Sequence, residues 1–204
     1  MRIGVIGSGN IGGTAARLFA DAGHDVVIAN SRGPASLADE EGDGVHAGTV
    51  EEACEHGEVV LLAIPLKAYP SLDPDALADT VVIDAMNYYP GRDGQIKELD
   101  DDLLTSTELV AKHLEGSEVV KAFNTLEAGT LENEGRPAGD PERLVLLLSG
   151  DDRDAKRTVR DLIDEVGFDS LDLGTLAEGG RLQQPGSPFY GAEITSGEAR
   201  DALQ

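Results

Sequence analysis

Short apolar runs of strand length alternate along the chain with segments whose apolar positions return every three or four residues, beginning with 2–6, 10–22 and 25–29. A period near 2 followed by one near 3.6, then 2 again, predicts a β-α-β unit. Further strands are expected at 44–47, 58–64, 80–85, 118–123, 143–149 and 170–173, and helices at 34–41, 50–56, 105–114, 125–132 and 151–166. The run from Val59 to Ile64 has no polar alternation, as in strands covered on both faces, which parallel sheets with helical crossovers provide. The expected fold is therefore α/β: a Rossmann-type doubly wound, mostly parallel sheet with helices on both faces. One domain spans 1–174, and a Gly/Pro-rich extension, 175–204, is expected to be irregular and to pack near the substrate side.

Length and composition agree with one domain. The 204 residues include 40% hydrophobic ones, and a domain of that size buries roughly 70% of its unfolded surface without metal or disulfide support. A single cysteine, Cys54, excludes an internal disulfide and fits a reducing, cytoplasmic setting. The longest apolar stretch falls far short of the about 20 residues that cross a bilayer. Against 39 acidic side chains stand 16 Lys and Arg, a formal net charge of -23. Such a chain repels nucleic acid and anionic membranes, leaving a small molecule as the expected partner; homo-oligomerisation is compatible with the sequence. The acidic surface also resembles that of proteins from a salt-rich cytoplasm, where charges are screened over a few ångströms.

Chemistry enters directly after the first strand, where Gly7-Ser8-Gly9-Asn10-Ile11-Gly12 matches G-x-G-x-x-G at the expected start of a helix. Gly7 permits the tight turn, Gly9 lets backbone approach a pyrophosphate, and Gly12 lets helix and strand pack closely. The helix N-terminus then offers unpaired N–H groups and partial positive charge, so an anion site can exist on an acidic protein. After the second strand, where NAD-preferring proteins carry a carboxylate, the chain has Asn30-Ser31-Arg32. A hydroxyl and a guanidinium donate to a 2′-phosphate that a carboxylate would repel, so the expected cofactor is NADP(H).

On these residues, on Ala63-Ile64-Pro65, on Asp84-Ala85-Met86-Asn87-Tyr88-Tyr89-Pro90 and on Lys121-Ala122-Phe123-Asn124-Thr125, the chain resembles the F420-dependent NADP oxidoreductase family. The resemblance spans most of the chain. It implies that Ser8 to Ile11 with Ser31 and Arg32 hold NADP. It also implies that Ile64, Pro65, Met86, Asn87, Ala122 and Asn124 border the nicotinamide, and that coenzyme F420, a deazaflavin, is the co-substrate. The polar ending from Arg181 departs from the apolar helical ending of archetypal members, so the substrate side is expected to be built differently. The function expected is hydride transfer between NADP(H) and a planar acceptor. Two alternatives stand beside it: a non-catalytic NADP(H)-sensing module, and a reductase of an imine or a metal ion.

Hydride transfer asks the protein chiefly for position and exclusion of water. Asn87 and Asn124 are the candidate positioning residues, and Tyr88 and Tyr89 could stack on a flat acceptor or supply a proton. Arg181 is a candidate cation for an anionic acceptor. The four histidines lie away from the predicted crevice, and Cys54, beside Glu52 and Glu55, is expected to be inert. No spacing of histidine, cysteine or carboxylate points to a metal; Asp100-Asp101-Asp102 reads as a solvated loop and Asp151-Asp152 as a helix cap.

Overall fold

A computed structural model describes residues 1–203. The elements run β1 (Arg2–Ile6), α1 (Asn10–Asp21), β2 (Asp25–Ala29), β3 (Val45–Gly48), α2 (Val50–His56), β4 (Val59–Leu62), β5 (Val81–Asp84), α3 (Pro90–Asp93) and α4 (Lys97–Asp100). After them come α5 (Ser106–His113), β6 (Glu118–Lys121), α6 (Ala128–Asn133), β7 (Val145–Gly150), α7 (Arg153–Glu165), β8 (Asp169–Asp172), α8 (Leu176–Gln183) and α9 (Ser196–Ala202). Together the strands make one eight-stranded sheet in the order β3-β2-β1-β4-β5-β6-β7-β8. Every pairing is parallel except β6 with β7, where Lys121 lies opposite Ser149. The chain is thus the expected Rossmann-like α/β domain.

Alternate residues of the buried strands serve two cores, as the pleat requires. Ile3, Val5, Ile83, Val120 and Leu148 face α1, α6 and α7 with Phe19, Leu131 and Phe168. Ile6, Val60, Leu62, Val82 and Val119 face α2 and α5 with Ala53 and Val110. At the N-termini of α2 and α5, Thr49 with Glu52 and Thr105 with Glu108 form reciprocal capping boxes. Asp152 accepts from two N–H groups at the start of α7, as its sequence position suggests.

Two expectations change. Residues 34–41 form only one 3-10 turn, Pro34–Ser36, followed by Leu37; Leu37 is the one buried apolar anchor of the segment, too little to bind a longer amphipathic helix. The segment after 174 is not irregular. It forms α8 and α9, and Phe189 and Ala199 build a third small core on Val145 and Leu147 of β7. The edge is pinned by Val145 N–H donating to Ile194 O at 2.9 Å.

Candidate active site

The strand order reverses at β1, whose neighbours β2 and β4 lead the chain away in opposite directions, and a crevice opens beyond their carboxyl ends. It consists of two lobes of about 720 and 410 Å³ that share Gly9, Ala63, Ile64 and Pro65 as a common wall.

The glycine turn forms the floor of that wall. Gly7 has φ of 117° and donates to Ala29 O at 2.8 Å. A Cβ on Gly7 would lie 2.3 Å from Ala63 O, and one on Gly12 would lie 1.8 Å from Gly7 O. These two glycines are demanded by the fold itself. Gly9 differs: a Cβ there meets nothing within 4 Å. It precedes α1 in extended conformation with no capping side chain, so the first-turn N–H groups of α1 receive no side-chain acceptor. A pyrophosphate fits where a Gly9 side chain would otherwise project.

The smaller lobe is organised by Asn30, which is buried at the end of β2. Its Nδ2 donates to Ser8 Oγ at 2.9 Å, and its Oδ1 accepts from Arg32 N–H at 2.8 Å and from Ser36 Oγ at 3.1 Å. Asn30 therefore ties the glycine turn to the loop that carries Ser31 and Arg32. Both of those are exposed on the rim of the lobe. Among the described residues, Arg32 takes part in no ion pair, although the chain carries 39 acidic side chains.

The larger lobe lies beyond β4, β5 and β6. Asp84 and Lys121 stand opposite each other in register, both excluded from solvent, with Nζ to Oδ2 at 3.2 Å. The pair clamps the backbone of one residue from both sides: Met86 N–H donates to Asp84 Oδ1 at 2.8 Å, and Lys121 Nζ donates to Met86 O. Thr107 Oγ1 adds a third donor to Asp84 at 2.6 Å. Burial holds the Lys121 ammonium below its usual range, partly offset by Asp84. Three residues further along each strand, Asn87 and Asn124 repeat the pairing: Asn87 Nδ2 donates to Asn124 O at 3.0 Å, and Asn124 Nδ2 donates to Asn87 Oδ1 at 3.0 Å. Phe123, at φ of 62°, makes the sharp turn between Lys121 and Asn124 and is locked by edge-on packing against Phe19.

Gln183, fully buried at the end of α8, fixes Asn124 from behind. Its carbonyl accepts from Asn124 Nδ2 at 2.7 Å, and its side chain joins Leu147 O and Ser149 Oγ. At the mouth, Tyr89 Oη and Tyr190 Oη are hydrogen-bonded, and Arg92 sits 4.9 Å over the Tyr89 ring while donating to Asn87 O at 2.7 Å. Burial raises the Asp93 carboxyl, but donors from Arg92, Tyr89 N–H and Lys67 N–H outweigh it and hold it below the usual carboxylate range.

The crevice thus brings together Gly7 to Ile11, Asn30 to Arg32, Ile64, Pro65, Met86, Asn87 and Asn124. Other expectations are corrected. Ala122 is wholly buried in the core and contributes no cleft surface. Tyr88 turns away, its hydroxyl donating to Asp100 at 2.7 Å and accepting from Ile96 N–H at 3.0 Å. Arg181 donates to Asp102 O at 2.8 Å instead of entering the cleft; Arg92 is the cation lining the larger lobe. Sequence reasoning overlooked Arg92, Gln183 and Tyr190. Of these, Arg92 alone lay beside a quoted motif.

A dinucleotide-binding fold whose crevice combines these features is the class defined. Residues 2–88, a little under half of the chain, match the family model described as NADP oxidoreductase, coenzyme F420-dependent. A crystal structure of a hypothetical protein from Sinorhizobium meliloti is 36% identical with a TM-score of 0.81, covering 96% of each chain. A putative F420-dependent NADP reductase from Arthrobacter sp. FB24 is 26% identical with a TM-score of 0.73, covering 89% of each chain. The rat metalloreductase STEAP3 is 32% identical over 178 residues, 86% of this chain and 34% of that protein. The chain therefore spans about a third of the length of this curated relative. Among the described residues no helix is long and apolar enough to cross a membrane.

Proposed function

We propose that the protein transfers hydride between NADP(H) and a planar acceptor, with coenzyme F420 the acceptor that the family description favours. The observation that carries the nucleotide assignment is the joined pair of lobes, with Gly9 open at their junction and, on the rim of one of them, Arg32, which has no ion-pair partner among the described residues. In this reading the helix N-terminus and Ser8 hold the pyrophosphate. Ser31 and Arg32 hold the 2′-phosphate, and Ile64 and Met86 flank the nicotinamide. The bound nucleotide supplies the hydride. The chain's part is to orient the ring through Asn87, seated by the Met86 clamp, and to keep water from it with the apolar wall of Ala63, Ile64 and Pro65.

Arg32→Ala should weaken NADPH by about 10- to 100-fold, the loss of a charge-assisted contact of roughly 1.5 to 3 kcal/mol, and leave NADH nearly unchanged. Fluorescence titration with both nucleotides reads this directly, and equal weakening of the two would remove the 2′-phosphate assignment. Bleaching of F420 with NADPH tests the acceptor. The likeness to a metalloreductase favours a metal-ion acceptor as the second reading, tested by NADPH-driven reduction of a ferric chelate. Tight NADPH binding without turnover of either acceptor would favour a sensing module.

A further inference from the structure

We infer that Tyr190 is the proton donor to the acceptor and that Tyr89 resupplies it, so that the site serves acceptors taking hydride at a carbon and a proton at the conjugated nitrogen or oxygen. The inference rests on the nucleotide reading above and adds the other half of the reaction.

Tyr190 comes from the segment between α8 and α9, far from the glycine turn in sequence, and is built into the cleft wall. The next residue, Gly191, donates its N–H to Thr125 O at 2.8 Å, and the preceding Phe189 is anchored in the core on β7. The half-buried Tyr190 hydroxyl lies 3.5 Å from Asn87 Nδ2 and hydrogen-bonds the Tyr89 hydroxyl. Tyr89 is 36% exposed, so the pair runs from solvent into the mouth of the larger lobe, which both residues line. The charged groups facing it are Arg92 of α3, which favours ionisation, and Glu127 before α6, which opposes it. Burial and the Tyr89 contact prevail, and Tyr190 stays a protonated phenol well above the ordinary tyrosine range.

The step balances without further reagents. The hydride forms a C–H bond at the acceptor carbon, and the π pair of the C=N or C=O bond moves onto its heteroatom. That heteroatom takes the Tyr190 proton; the Tyr190 oxygen recovers one from Tyr89, and Tyr89 from water. A one-electron acceptor such as a ferric ion would leave the pair without a task.

The test uses the full chain with NADPH and three probes: coenzyme F420, phenanthrenequinone and a cyclic imine. Tyr190→Phe should lower kcat by about 100- to 10,000-fold, the span of general acid catalysis, with KM and NADPH affinity held. It should also abolish the wild-type solvent isotope effect and remove one late-titrating phenol from the ultraviolet tyrosinate titration of the nucleotide-free protein. Tyr89→Phe should cost less and keep Tyr190 functional, guarding against a folding defect in the first variant. Turnover by Tyr190→Phe equal to the parent overturns the donor role and leaves the nucleotide reading intact. NADPH binding by the parent with no reduction of any probe also overturns it. Absence of NADPH binding sinks the underlying reading itself.

Discussion

Replacing Lys121 with methionine tests whether the floor of the cleft is held by a buried charge pair. The change keeps side-chain volume but removes the ammonium from a site that is 1% exposed. Asp84 then retains Met86 N–H and Thr107 Oγ1 as donors but no countercharge, and Met86 O loses its donor. Removing one partner of a buried pair costs about 3–5 kcal/mol. For a domain of this size each kcal/mol moves Tm by about 2–4 °C, so a fall on the order of 10 °C is expected by scanning calorimetry at neutral pH. An isolated pair would be relieved by making both members apolar. Here Asp84→Leu with Lys121→Met should stay destabilised, because the Met86 amide and the Thr107 hydroxyl lose their acceptor in the interior. A double variant as stable as the parent would refute the clamp, as would a single variant with unchanged Tm.

Asp84→Asn should be most costly at neutral pH and less so as pH rises. Lys121 already has a lowered folded pKa, and losing the carboxylate lowers it further. The variant's folded state then binds fewer protons than its unfolded state over a wider window, and its stability gains on the parent with rising pH; a stability difference that widens toward alkaline pH in denaturant titrations would contradict this. Gly9→Ala should fold with the parent's Tm yet lose nucleotide affinity, whereas Gly12→Ala should be strongly destabilised, since its Cβ would lie 1.8 Å from Gly7 O; calorimetry with NADPH titration separates the two, and similar effects of both would refute the division of roles. Burial pushes the Cys54 thiol up to about 11, with Asp73 and Glu55 adding to the rise. Alkylation of native protein should therefore stay slow at pH 8 and quicken only toward pH 11, and rapid labelling at pH 8 would show the thiol to be accessible and ionised.

The strands and the glycine turn were legible because each is local. A Val/Ile/Leu run with no polar alternation has few options other than a doubly covered strand, and Gly7 to Gly12 carry their own geometric reasons. Asn30 was legible as a candidate nucleotide contact but not as the hub joining Ser8, Ser36 and Arg32, since those bonds depend on how β1 and β2 align. The mouth of the cleft was illegible for a different reason. Tyr190 reaches Tyr89 across 101 residues of sequence, and Gln183 reaches Asn124 across 59. Only the folded tail creates either contact. A local signal for that tail did exist: Thr175-x-x-Glu178 and Thr195-x-x-Glu198 both spell helix starts, and in both the threonine accepts from the glutamate's N–H. The glycines and prolines between them masked it.

The tie from Gly191 to Thr125 gives the molecule two separately adjustable halves. In the proposed reading, nucleotide recognition is encoded by the first strands and their loops, while one wall of the acceptor compartment is delivered by the last thirty residues or so, fastened by the Gly191 and Val145 backbone bonds, the buried Gln183 and a small hydrophobic plug. On that reading, sequence drift in the closing stretch can retune what is reduced while the handling of the reductant stays fixed. The same architecture makes grafting tails between relatives a direct test of that division.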